Sequence, residues 1–253
     1  MERIIKYPKT PHLKGSNVQM GDDLDKVDFA QILGKNIVIE EKVDGANVGI
    51  SFNENKDLLL QSRGHFLTGG YRERHYDLFK KWAYNTINEL FDVLNTRYIM
   101  YGEWLYAKHK IYYDLLPDYF LEFDIFDKKT GKFLSTPARQ ELLKNINVKS
   151  VPVLKSGFFY KKEEILNLLQ KSLYISNNAK ENLKNTVEAL GLDYFTILNE
   201  TDESDLAEGL YIKVESENYV ENRVKFVRAG YIQPQTQNGR WIDKTIIPNK
   251  LKD

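Results

Sequence analysis

The stretch Glu40-Glu41-Lys42-Val43-Asp44-Gly45-Ala46-Asn47-Val48-Gly49-Ile50 decides how the chain is read. The apolar run Asn36-Ile37-Val38-Ile39 leads into it as a strand. After the Asp-Gly pair the residues alternate, with Val48, Ile50 and Phe52 on one face and Asn47, Gly49 and Ser51 on the other, the period of a second strand. Lys42 therefore projects from a strand end into a tight turn. Two readings are open at this point. In one, Asp44-Gly45 is a type I′ hairpin turn with glycine supplying a positive φ, and Lys42 is a solvated cation. In the other, Lys42 is a covalent nucleophile, which requires surroundings that lower its pKa from about 10.4.

Outward from this stretch, Leu58-Leu59-Leu60-Gln61-Ser62-Arg63-Gly64 reads as a returning strand with Arg63 at its end, where a planar fork of donors could meet phosphate or simply solvent. Tyr76 to Leu94 reads as one amphipathic helix, its Phe79, Trp82, Ala83, Ile87, Leu90, Phe91 and Leu94 stripe belonging to the core. Strands are expected over Tyr98 to Glu103 and Tyr119 to Asp127. In the second, Phe120, Glu122, Asp124 and Phe126 share one face and Leu121, Phe123 and Ile125 the other. Glu103, Glu122 and Asp124 are open to two readings, solvated edge charges or ligands for a sugar hydroxyl or a metal, and taken singly each reads as a solvated edge charge.

Thr136 suits an N-cap with Pro137 at the first helical position, and two further helices are expected, Glu163 to Ser172 and Asn178 to Leu190, the latter closed by Gly191. Strands then resume with Glu208 to Glu215 and Arg223 to Arg228. The helical stretch 160–192 therefore reads as an insert or subdomain within a single domain, 1–253. The leading segment, with Pro8 and Pro11, reads as an arm packed on the core.

Composition narrows the function classes. The 253 residues are 42% hydrophobic, ample for a core, and 36 Lys plus Arg balance 36 Asp plus Glu. A polyanion would thus have to be met by cations gathered on one face. There is no cysteine, which excludes disulfides and thiolate metal sites, and no apolar run of transmembrane length or signal-peptide core, so a cytoplasmic setting is expected.

Several short motifs follow one another along the chain: Lys42-x-Asp44-Gly45, Ser62-Arg63-Gly64, Gly102-Glu103, Phe123-Asp124-Ile125, Glu208-Gly209-x-x-x-Lys213 and Val224-Lys225. In that order they resemble the covalent nucleotidyltransferase superfamily. Lys6 to Leu13, Tyr101 to His109 and Val224 to Arg228 with the Trp241 to Leu251 tail look most like its ATP-dependent RNA ligases. The resemblance implies an α+β adenylation domain of mostly antiparallel sheets flanked by helices. It also implies ATP as the AMP donor, Mg²⁺ or Mn²⁺ as the metal, and RNA 5′-phosphate and 3′-hydroxyl ends as partners.

Carried over by position, Lys42 would form the lysyl-AMP, and Glu41 would sit with it beside the adenine. Arg63 would lie near the phosphate or acceptor end, Glu103 on the ribose hydroxyls and Phe123 on the base. Glu208 would help bind the metal, and Lys213 and Lys225 would lie near the α-phosphate. The family's last motif commonly shows two lysines one residue apart. Here Val227 takes the second place, and Arg223, on the face of Lys225, is a candidate substitute, whereas Arg228 has the other parity. Lys213 has the opposite parity from Glu208, which a bulge at Gly209 would reconcile. The 25 residues after Arg228 are too few for the oligonucleotide-binding barrel of capping enzymes and DNA ligases. The alternatives are a minimal DNA ligase or a guanylyltransferase, and a non-catalytic nucleotide- or RNA-binding module.

Overall fold

The computed structural model describes residues 3–18, 26–231 and 244–252. Trp241, part of the expected tail motif, and Asp22 and Asp23 of the leading segment lie outside them. In chain order the strands are β1 (His12–Leu13), β2 (Lys26–Val27), β3 (Asn36–Lys42), β4 (Ala46–Phe52), β5 (Leu58–Ser62), β6 (Tyr98–Trp104), β7 (Phe120–Asp127), β8 (Lys132–Phe133), β9 (Lys149–Ser150), β10 (Val153–Phe158), β11 (Gly209–Glu215) and β12 (Val220–Val227). The α-helices are α1 (Asp77–Asn85), α2 (Ile87–Leu94), α3 (Thr136–Leu143), α4 (Lys162–Leu166), α5 (Ala179–Ala189) and α6 (Tyr194–Asn199).

The strands form two sheets, in the orders β10-β3-β11-β12-β1-β2 and β5-β4-β6-β7-β8, the second with β9 beside β7. Pairing is antiparallel except where β1 joins β12 and β2 and where β9 joins β7. This is the expected α+β architecture of mostly antiparallel sheets flanked by helices.

The hairpin reading of Asp44-Gly45 does not survive. β3 pairs with β10 and β11, whereas β4 pairs with β5 and β6, so residues 43–45 carry the chain from one sheet to the other. Gly45 is required by close approach and not by a positive φ. A Cβ there would lie 2.7 Å from the Leu105 side chain and from the Trp104 carbonyl oxygen, inside the closest real contacts. Asp44 ties the crossing down. One carboxylate oxygen accepts from the Lys110 and Ile111 amides at 2.8 Å each, and the Asp44 amide donates to the Tyr113 hydroxyl at 2.9 Å.

Alternation along the strands then sorts the chain into layers. Val48, Ile50, Phe52, Leu60 and Met100 pack with Phe79, Ala83, Leu90 and Leu94 of α1 and α2 in one core. Ile37, Ile39, Leu210, Ile212, Val214 and Val224 form another with Leu13, Phe29 and Ile165. The opposite faces bear the polar residues. Glu40 pairs with Tyr211 and Lys42 with Gly209 on the first sheet, and Asn47 with Glu103 on the second.

Several boundaries differ from expectation for local reasons. The helix expected over Tyr76 to Leu94 breaks at Thr86 (φ −110°, ψ 17°), whose hydroxyl donates to the Trp82 carbonyl and competes with the helical ladder. Ser135, not Thr136, is the N-cap of α3, with Pro137 in the first turn. The helix expected to reach Ser172 ends at Leu166, α5 is closed as expected by Gly191 at φ 68°, and α6 adds a turn the sequence did not signal. No helix among the described residues is long and apolar enough to cross a membrane.

Candidate active site

A cavity of about 390 Å³ opens between the polar faces of the two sheets, where the chain crosses from β3 to β4. Its wall includes Glu41, Lys42, Arg63, Glu103, Phe123, Glu208 and Lys225, seven of the nine residues expected at the site. Apart from the neighbours Glu41 and Lys42 of β3, each comes from a different element or element end, so the long-range pairing assembles them. Gly209 pairs with Lys42 across β11 and β3, which sets Glu208, one residue before β11, beside the lysine. Lys42 Nζ donates to Glu208 Oε2 at 2.7 Å, and the lysine side chain retains 23% exposure. Asn47 and Glu103 face each other across β4 and β6, and Lys225 is placed by its pairing with Tyr211.

Phe123 owes its direction to an irregularity. Tyr101 pairs with Asp124 but Gly102 with Glu122, leaving Phe123 as the extra residue of a bulge that turns it toward the side of Asp124. Both then meet Tyr7 of the leading arm. Its hydroxyl donates to Asp124 at 2.5 Å, and its ring lies edge-on to Phe123 with centroids 5.1 Å apart.

The other two expected residues, Lys213 and Arg223, lie behind the cavity wall. Glu208 precedes the strand, so alternation does not bind it, and no bulge at Gly209 is needed. Lys213 shares the face of Gly209 and Tyr211 but lies deeper, with no exposed surface, ion-paired to Glu40 at 2.8 Å and Asp124 at 3.3 Å and bonded to the Phe123 carbonyl. Arg223 pairs with Lys213 across β12 and β11, with its guanidinium 3.8 Å from the Phe133 ring centroid and 3.8 Å from Asp124. Arg228 points away, held by Asp202 at 2.6 Å and the Ala207 carbonyl. Lys225 is therefore the cation of β12 that reaches the cavity.

Glu122 and Asp124 are fully buried, against the expectation of solvated edge charges. Arg139 of α3 donates to Glu122 at 2.7 Å and to Glu40 at 2.6 Å, joining the two sheets. Burial alone would raise the Asp124 carboxyl, but Lys213, Arg223 and Arg139 hold it below its ordinary value. Glu41 is turned to the opposite side of β3 from Lys42. Its carboxylate accepts from the Ser172 hydroxyl at 2.5 Å and the Leu173 amide at 3.2 Å, and burial raises its pKa.

The electrostatics at Lys42 are acidic. Burial opposes the ammonium, but Glu208, Glu103 and Asp44 outweigh it and hold the pKa above 10.5. Desolvation in turn pushes Glu103 up to about 8 and Glu208 up to about 7, with Lys42 pulling both back. The cavity therefore carries carboxylates in excess of the cation they share, a setting that a further positive charge would relieve.

No group of three or more histidine, aspartate or glutamate residues among the described ones could hold a metal by itself. A Mg²⁺-type ion is commonly held by one or two carboxylates, substrate phosphates and water, and the cavity wall offers the Glu208 and Glu103 carboxylates for such a partial set.

The cavity wall also contains Tyr7, Thr10, Asn47, Tyr76, His109 and Tyr211, which the sequence reading did not single out as site residues. Asn47 Oδ1 is buried without a hydrogen-bond partner, an acceptor in the wall available to a ligand donor. The signal for Tyr7 and Thr10 was the proline-bearing arm. Its Ile5 carbonyl accepts from Gln61 and Tyr101, and His12 pairs with Lys225, which lays the arm across the rim.

No curated protein matches the sequence. Among solved structures, the chain is similar to a Naegleria gruberi RNA ligase with PPi (17% identity, TM-score 0.51, covering 89% of this chain and 61% of that one). It is also similar to a variant of that ligase with ATP and Mn (16%, 0.50, 88% and 60%) and to an archaeal ATP-dependent RNA ligase (17%, 0.50, 88% and 48%). The chain thus spans about three fifths of the length of the first and about half of the last. At these identities the likeness concerns the fold. The model of the family described as RNA ligase matches residues 35–227, most of the chain, and so the chain belongs to the RNA ligase family.

Proposed function

We propose that this chain is the nucleotidyltransferase domain of an ATP-dependent RNA ligase, residues 1–253 with helices of 160–192 as an insert, and that Lys42 carries AMP between ATP and an RNA 5′-phosphate. The observation that carries the reading is the convergence of Lys42, Glu208, Glu103, Phe123, Arg63 and Lys225 on one cavity, with the amine 2.7 Å from Glu208. Support also comes from the solved relatives, one of which holds ATP and Mn and another PPi.

In the first step the neutral Lys42 amine attacks the α-phosphorus of ATP, its proton passing to solvent, and the bond to pyrophosphate breaks. The pocket alone holds Lys42 protonated, so the amine must be freed on loading. A divalent metal held by Glu208 and the ATP phosphates would supply charge that lowers the lysine pKa and offsets the charge on the phosphate oxygens. Lys225 and Arg63 supply fixed positive charge toward those oxygens. Phe123, aimed into the cavity by its bulge, offers a stacking face for the base, and Glu103 an acceptor for ribose hydroxyls. The AMP then passes to an RNA 5′-phosphate, and a 3′-hydroxyl displaces AMP to seal the strand.

Incubating the protein with ATP, Mg²⁺ or Mn²⁺ and RNAs ending in 5′-phosphate and 3′-hydroxyl tests this directly. ATP-dependent joining that is lost in Lys42→Ala is the expected result. Joining of DNA ends alone, or label transfer from GTP in place of ATP, would overturn the RNA ligase reading.

A further inference from the structure

Residues 64–75 form a loop whose two neighbours in sequence, Arg63 and Tyr76, both line the cavity, so the loop stands at its rim. The loop is built to a definite shape. Gly69 and Gly70 turn it at φ 114° and 112°, values that side-chain-bearing residues rarely adopt, and a short 3₁₀ helix follows over Tyr71–Tyr76. The buried Glu73 carboxylate accepts from the Thr68 and Gly69 amides at 3.1 and 2.8 Å and pairs with Lys80 of α1 at 3.4 Å, so its charge is turned inward from the loop's outer surface.

What the loop presents outward is a tyrosine and cations. Tyr71 is 74% exposed, with the Arg74 guanidinium 4.7 Å from its ring centroid and bonded to its hydroxyl. Arg72, next in sequence, and Arg63, just before the loop, are exposed as well. In a chain whose charges balance, this rim is locally basic. Among the described residues, the other highly exposed aromatics, Tyr84, Phe158, Tyr160 and Phe195, lie on segments that contribute nothing to the cavity wall.

An exposed aromatic ring backed by arginine, with further arginines alongside, is the arrangement that binds single-stranded nucleic acid. The ring stacks on a base and the guanidinium groups meet phosphates, whatever the sequence. We propose that the 64–75 loop is the docking surface for the RNA strand that carries the 5′-phosphate, with Tyr71 stacking on an unpaired base near that end and Arg72 and Arg63 contacting its backbone. This rests on the adenylyl-transfer reading for the identity of the strand, but not for the binding itself.

The test is the affinity of the full chain for a short 5′-phosphorylated single-stranded RNA, followed by fluorescence anisotropy without ATP, with thermal unfolding as a check that each variant is folded. Loss of one base stack weakens binding by roughly 5- to 150-fold in Tyr71→Ala, and Tyr71→Trp restores it. Arg72→Ala lowers the slope of log affinity against log salt by about 0.7. An abasic nucleotide scanned through the 5′-terminal positions costs the wild type a similar factor at one position and costs Tyr71→Ala nothing further there. Folded Tyr71→Ala that binds as the wild type does, or abasic substitutions that cost both proteins equally at every position, would overturn the proposal and leave the surface to a protein partner. Because no nucleotide is transferred, a chain that never forms lysyl-AMP would sink the functional reading alone.

Discussion

Replacing Arg139 with methionine removes one of the buried cations that join the two sheets behind the cavity. Arg139 is 2% exposed, and its guanidinium spans Glu40 on β3 and Glu122 on β7, both without exposed surface, at 2.6 and 2.7 Å. With it gone, three buried carboxylates, Glu40, Glu122 and Asp124, keep Lys213 and the more distant Arg223 as ion-pair partners, beside the neutral Tyr7 and Ser150 hydroxyls that donate to Asp124 and Glu122. Leaving one buried carboxylate uncompensated costs about 3–5 kcal/mol, far above the value of a surface pair. At about 2–4 °C per kcal/mol for a chain of this size, the unfolding temperature should fall by roughly 6–20 °C. Acid should recover part of the loss, because a buried carboxylate deprived of its cation can neutralise itself by taking up a proton. The double variant Arg139→Met with Glu122→Gln should be more stable than the single one, since these residues act as one network. Calorimetry at pH 8 and pH 5 measures all three effects. A loss below about 1 kcal/mol, equal at both pH values, would refute the idea that Arg139 is what holds these carboxylates in place.

Two further predictions concern the cavity. The folded protein holds Glu103 up to about 8, against about 4.5 when unfolded, so folding favours its protonated form. This group's contribution therefore worsens as pH rises from about 4.5 to about 8 and is constant above, and Glu103→Gln should raise the unfolding temperature most at pH 8 to 9 and little at pH 4.5. An equal gain at both pH values would contradict the sign. Gly45→Ala forces a Cβ to within 2.7 Å of the Trp104 carbonyl oxygen. The crossing between sheets must then shift, with an expected loss of about 1–3 kcal/mol and of lysyl-AMP formation in the folded fraction. Stability and labelling equal to the wild type would show that the crossing tolerates a side chain.

Much of the architecture could be read from alternation and punctuation. The strands around Lys42, the returning strand β5, which ends at Ser62 just before Arg63, the α1–α2 stripe and the paired strands β11 and β12 all form. What could not be read depended on partners distant in sequence. Asp44-Gly45 has the same local chemistry in a hairpin and in a crossing between sheets, and only the pairing of β3 with β11 and β4 with β6 tells them apart. Glu122 and Asp124 looked like edge charges because their partners, Arg139, Lys213 and Tyr7, lie elsewhere in the chain. Phe123 points where it does because of a one-residue bulge that period-2 reasoning cannot anticipate.

The same limit applied to the electrostatics of the site. A nucleophilic Lys42 requires surroundings that lower its pKa. The folded chain instead surrounds Lys42 with Glu208, Glu103 and Asp44, which hold its proton. Under the proposed mechanism the priming charge must then arrive with the nucleotide, since Glu208, Glu103 and Asp44 favour the ammonium form of Lys42 in the ligand-free protein.

The central claim is covalent chemistry at Lys42, and intact-mass measurement after incubation with ATP and Mg²⁺ or Mn²⁺, followed by peptide mapping of the denatured protein, tests it most directly. The account predicts the gain of one adenylate per chain, located on Lys42, absent without the divalent metal and absent in Lys42→Ala. An adenylate found on another residue, or none on a folded protein under any of these conditions, would contradict it.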